Sequence, residues 1–179
     1  AWDCEELSFN ECLERYRKAD QDHKDSDVLV EWGVGLSIMG DGKAAIEKYK
    51  KATEINPKYS LAHYGWGYVL EQLGKYPEAA QKYKDVVKLD PDDIYAYEGW
   101  VIVSEAMLKG EKNGDEAKRI KGELAQAYEE WGRALDKLGR YDEATEKYKK
   151  ADELGGGFSQ SNTFDIGGRS ANPKVNGTP

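Results

Sequence analysis

Apolar positions in this chain fall on helical faces that recur at a fixed interval. From Val28 to Ile38 they stand at Val28, Leu29, Trp32, Leu36 and Ile38, with Gly33 among them. Gly40-Asp41-Gly42 then breaks the run, as glycine commonly does at a helix end. From Lys43 onward Ala45, Ile46, Tyr49, Ala52 and Ile55 follow spacings of three and four, which predicts one face of a second helix. Asn56-Pro57 closes that helix, since the residue before proline is pushed out of the helical region. The predicted unit is an antiparallel helix pair. Gly33 and Ala45 are small enough for its two helices to approach closely, and Trp32 and Tyr49 are expected to fill the space between neighbouring pairs.

The unit comes back. Trp32 returns as Trp66 and Trp100, Gly33 as Gly67, Leu36 as Leu70, Ala45 as Ala79, Tyr49 as Tyr83 and Pro57 as Pro91, at a spacing of 34 residues. One helix pair cannot bury its own apolar face, so a period of this length predicts a stack of pairs stabilised by their neighbours. The order Trp-Gly-x-x-Leu, then Ala-x-x-x-Tyr-x-x-Ala, then Pro resembles the tetratricopeptide repeat. The resemblance covers most of residues 26–154. It implies an all-α, right-handed α-solenoid of helix hairpins, with repeats over 26–59, 60–93, 94–124 and 125–154.

The third of these is atypical. It begins with Tyr97, Trp100 and Leu108, but Val101 replaces the glycine and Ser104 the leucine. The stretch KGEKNGDEA, 109–117, lengthens its turn. Ala117, Ile120 and Leu124 then run towards Tyr128, Trp131, Gly132 and Leu135 with no proline between. This predicts one long helix over 115–138, fusing the second helix of repeat three to the first of repeat four, with Gly122 as its weak point. Repeat four closes with Gly139-Arg140-Tyr141, Ala144, Tyr148 and Ala151, and Gly155-Gly156-Gly157 stands where its proline belongs.

Two flanks differ from the repeats. In residues 1–25, Ser8 and Glu11 form a capping box before a helix whose face carries Leu13, Tyr16 and Ala19, a half-repeat that caps the stack. Cys4 and Cys12 are the only cysteines. They suit either a single disulfide in an oxidising compartment or two unrelated thiols. The run Asp20 to Asp27 alternates carboxylates but lacks the glycine a calcium loop needs at its sixth position, so it reads as a solvated acidic turn with Ser26 or Asp25 capping the next helix. Residues 155–179 have no helical period and the composition of a disordered tail. Phe158, Phe164, Ile166 and Val175 are spaced by small polar residues there, which suits an extended peptide laid in a groove. Arg169 and Lys174 against Asp165 make the tail weakly positive.

Charge narrows the partners. The 179-residue chain is 39% hydrophobic and 34% charged, with a formal net charge of −8. That sign argues against nucleic acid and against anionic membrane surfaces. No apolar run approaches the ~20 residues that span a bilayer. The chain begins at Ala1, which leaves open a removed leader or a start inside a longer chain. With Asn176-Gly177-Thr178, a glycosylation acceptor, and the cysteine pair, this points to an extracellular or periplasmic setting, the alternative being cytoplasmic.

No catalytic constellation, metal site or cofactor motif emerges. His23 and His63 lie far apart without partners at ligand spacing, and helical carboxylates read as a solvated face. No enzyme is therefore expected. The resemblance instead implies a concave groove, lined at positions two before and two after each tryptophan: Val30 and Val34, Tyr64 and Tyr68, Glu98 and Ile102, Glu129 and Arg133. Val30 and Val34 have a plain core reading as well. Family members that grip a C-terminal carboxylate use Lys and Asn at these places, and Val and Tyr do not carry that clamp over. The expected function is protein–protein interaction. One form is head-to-tail self-assembly into an oligomer or filament, with the tail of one subunit docked on the next. The other is an adaptor that binds an extended apolar peptide of another protein.

Overall fold

A computed structural model describes residues 25–155, together with Glu11 and Glu14. Ser8, Cys4, Cys12, the tail anchors Phe158, Phe164, Ile166 and Val175, and Asn176 lie outside the described residues. Residues 25–155 form seven helices and no strand: α1 (Ser26–Ile38), α2 (Gly42–Ile55), α3 (Ser60–Gln72), α4 (Tyr76–Leu89), α5 (Ile94–Gly110), α6 (Gly114–Lys137) and α7 (Tyr141–Glu153).

Local chemistry sets these boundaries. Asp25, rather than Ser26, caps α1, its carboxylate accepting from Asp27 N at 2.9 Å. Asp41 and Asp93 do the same for α2 and α5, and Asn113 for α6. Such a cap is worth about 1 kcal/mol. Gly40, Gly74 and Gly139 sit at φ of 81°, 70° and 74°, the left-handed region that glycine adopts without cost. Each lets the next amide turn back onto the helix, Asp41 N to Leu36 O, Lys75 N to Leu70 O and Arg140 N to Leu135 O, at 2.9–3.0 Å.

The third hairpin lacks both stop signals. Leu108 stands where the period calls for the turn glycine, and α5 runs on to Gly110. Ala125 stands where it calls for proline, and α6 continues unbroken for 24 residues. The expected fused helix is therefore present. Gly122 does not break it, and a Cβ there would meet no atom within 4 Å.

Successive helices pack in order, and α1 also touches α3, as α3 touches α5, whereas α2 and α4 do not touch. First helices converge while second helices splay, so the stack curves with the first helices inside.

The wedge between hairpins is tyrosine. Tyr49 presses on Gly33 of its own hairpin and Gly65 of the next, where a Cβ would lie 2.7 and 2.6 Å from the ring. Tyr83 repeats this against Gly67 and Gly99, and Tyr148 packs on Gly132. The tryptophans share that role, Trp100 inside the core and Trp66 packed against the clusters on both sides of it, and each of Trp32, Trp66, Trp100 and Trp131 also has a lysine over its ring. Lys48 Nζ lies 3.2 Å from the Trp32 ring centre, Lys82 4.1 Å from Trp66 and Lys147 3.8 Å from Trp131. The matching position for Trp100 is Glu116, and Lys84 from the preceding helix approaches it at 5.1 Å.

Candidate binding groove

The inner surface is built on α1, α3 and α5. Val30, Val34, Tyr64 and Tyr68 come together in one cavity of about 240 Å³. Ser37 and Ile38 from α1, Leu61 and Gly65 from α3, and Tyr49 from α2 complete its lining. Val30 is buried, so its core reading also holds, while Val34 and Tyr68 are exposed. Tyr64 is half-buried and meets Tyr83 edge to face, with ring centres 5.7 Å apart. Its hydroxyl pKa is raised, first by burial and then by the charges of Asp93, Glu71 and Glu98.

Two further cavities adjoin the first, and Leu61 lines all three. One, of about 380 Å³, carries Asp25, Asp27 and Glu31 beside Val28, Val30 and Tyr59. Burial pushes the Tyr59 hydroxyl up to about 12, aided by Asp27, Glu31 and Asp25. The other, of about 260 Å³, is formed by Ser60, Leu61, Tyr64, Asp93 and Tyr95. The arrangement is an apolar centre with carboxylates at both ends. It can seat an apolar or aromatic side chain and favours cations beside it. Leu61 at 52%, Tyr95 at 65% and Ile38 at 75% exposure were not among the expected groove residues. Leu61, Tyr64 and Tyr68 are spaced as one helix face, and that signal extends the groove one turn towards the helix start.

Glu98, Ile102, Glu129 and Arg133 lie outside these three cavities. Glu98 and Ile102 are exposed on α5, and Arg133 pairs with Glu129 at 3.4 Å. Three carboxylates differ from the solvated face the sequence suggested. Glu71 accepts from Tyr83 Oη at 2.7 Å, Glu105 from Tyr128 Oη at 2.8 Å and Asp136 from Tyr148 Oη at 2.7 Å. Burial, then the carboxylate, raises all three hydroxyl pKa values. His63, half-buried on α3, places Nε2 3.0 Å from Pro57 O, and Tyr97 donates to Pro91 O at 3.3 Å in the next hairpin. Among the described residues no group of three or more His, Cys, Asp or Glu is placed to hold a metal ion, and no helix is long and apolar enough to cross a membrane.

Family models described as TPR repeat or tetratricopeptide repeat match residues 38–74, 60–93 and 122–154. No curated protein matches the chain significantly in sequence. Solved structures do match in shape. MamA from Desulfovibrio magneticus RS-1 is 24% identical, with 85% of this chain and 89% of that one covered and a TM-score of 0.54. The first TPR of Spaghetti (RPAP3), bound to an HSP90 peptide, is 21% identical, with coverage of 74% and 94% and a TM-score of 0.54. The TPR2B domain of yeast Sti1, in a complex with pHsp70, is 14% identical, with coverage of 80% and 98% and a TM-score of 0.52. At these identities the likeness is one of fold.

Proposed function

The chain is a tetratricopeptide-repeat protein, and from that premise we propose that its inner groove docks an extended protein segment with apolar or aromatic anchors, without catalysis. The observation that carries this reading is the convergence of Val30, Val34, Tyr64 and Tyr68 on one apolar cavity between carboxylate-bearing ends. The occupant we infer is the tail, residues 155–179, of a neighbouring copy. Phe158, Phe164, Ile166 and Val175 supply anchors, and Arg169 and Lys174 supply cations for the acidic ends. The cavity lies on the first two hairpins, while the tail follows α7, the last helix. That polarity favours head-to-tail contact, which forms a filament when its rotation does not close.

A second reading is favoured by the fold's appearance in peptide complexes of other proteins. In it the groove takes a foreign peptide and the chain is an adaptor. Light scattering on the full chain with Phe164→Ser and Ile166→Ser separates the two. Self-assembly predicts dissociation of the wild-type particle, and large assemblies that survive the double substitution contradict it. We also propose an extracellular or periplasmic setting, on Cys4, Cys12 and Asn176. Mass measurement before and after reduction and alkylation tests it, with two alkylatable thiols in the native protein as the contrary result.

A further inference from the structure

Tyr49 differs from the other wedge tyrosines. Tyr83 and Tyr148 each donate to a carboxylate, Glu71 and Asp136. The residue one repeat before Glu71 is Ser37, so the first hairpin has no carboxylate at the place that serves Tyr83. Tyr49 is 2% exposed, and among the described residues no hydrogen bond to its hydroxyl occurs. Burial alone pushes its pKa up to about 12, so it remains a donor at neutral pH. The end of its ring lies over Gly65, where a Cβ would come 2.9 Å from Oη. Both residues line the central cavity. Among the described residues the buried side-chain atoms without a partner are His63 Nδ1, Trp100 Nε1 and Trp131 Nε1, so the Tyr49 hydroxyl opens onto that cavity, where an acceptor brought by a ligand can take the place of water.

We propose that Tyr49 is the polar specificity determinant of the groove: its hydroxyl donates to a main-chain carbonyl of the docked segment, beside an apolar anchor seated among Val34, Ile38, Leu61 and Tyr68. This rests on the reading that the tail of a neighbouring copy fills the groove. An extended segment offers an unpaired carbonyl next to each anchor, whereas a helix has bonded its own internally. The requirement therefore selects extended over helical ligands. Phe164-Asp165-Ile166 supplies anchors and acceptors together.

The test titrates a labelled peptide of residues 155–179 into the full chain carrying Phe164→Ser and Ile166→Ser, so that the receptor's own anchors do not compete. Fluorescence anisotropy reads the affinity. Adding Tyr49→Phe keeps the ring against Gly33 and Gly65, and the thermal midpoint is expected to hold. Binding is expected to weaken about fivefold to tenfold, the effect of one neutral hydrogen bond. Equal affinity with and without Tyr49→Phe overturns the role of the hydroxyl and leaves the groove reading standing. Absence of binding to both receptors overturns the tail-in-groove reading, and this proposal with it. Tyr83→Phe is the control, expected to lower the thermal midpoint without changing affinity. A loss of affinity there equal to that of Tyr49→Phe indicates an effect passed through the scaffold and also overturns the proposal.

Discussion

The two halves of the inner surface share one frame and differ in what they present. Around α1 and α3 the face is apolar and open, with Val34, Ile38, Leu61 and Tyr68 exposed. Around α5 and the second half of α6 the matching positions hold Glu98, Ile102, Glu129 and Arg133, and the last two satisfy each other in an ion pair. Beneath both runs the same Gly–Tyr wedge. Scaffold positions recur with the period and set how hairpins stack, whereas the variable positions between them decide what each stretch of surface can hold.

The shared frame predicts equal penalties in both halves. Gly65→Ala and Gly132→Ala place a Cβ 2.6 and 2.5 Å from the rings of Tyr49 and Tyr148. Each is expected to cost about 1–3 kcal/mol through overpacking. Thermal unfolding reads this as a drop of about 2–4 °C per kcal/mol. A neutral result at either site breaks the claim of a common wedge.

The surface chemistry predicts a difference instead. Leu61→Ser is expected to weaken tail-peptide binding about tenfold, the loss of one buried apolar anchor, while Ile102→Ser changes it less than twofold. Equal losses at the two sites erase the distinction between the halves. Smaller still is the effect of the tyrosine hydroxyls on stability. Tyr148→Phe is expected to cost about 1 kcal/mol, because its bond to Asp136 is lost, and Tyr49→Phe about nothing. Urea unfolding of the pair measures both.

The same hydroxyls set an alkaline limit. Tyr49, Tyr83, Tyr128 and Tyr148 all have folded pKa values raised above 10.0. The folded state holds these protons after the unfolded chain has released them, so stability is full below pH 10 and falls as pH rises from there through the folded values. Unfolding free energy measured from pH 8 to 11 should bend downward near pH 10. A flat profile contradicts the burial of these hydroxyls.

Much of the scaffold was legible because its signals are local. Gly40, Gly74 and Gly139 end helices, Pro57 and Pro91 separate hairpins, and the absence of both signals between Leu108 and Ala125 foretells the fused α6. The groove was legible in part. Val34, Tyr64 and Tyr68 follow from their spacing around the tryptophans. Leu61 and Tyr95 lie on the same faces one turn earlier, five residues before Trp66 and Trp100. The Tyr–carboxylate bonds were hidden for a different reason. Glu71 and Tyr83, or Asp136 and Tyr148, are twelve residues apart on different helices of a hairpin, and only the packing of those helices distinguishes such a carboxylate from a solvated one. The lysines over the tryptophans were hidden in the same way, since Trp32 and Lys48 meet only when α1 and α2 fold together.

The most direct test of the central claim is particle size, by light scattering with negative-stain imaging, of the full chain beside a version ending at Leu154. Docking of the tail on a neighbour predicts filaments or large oligomers from the full chain and monomers from the shortened one. Equal sizes for the two contradict it, and would turn the search to a foreign peptide for the cavity around Leu61, Tyr64 and Tyr68.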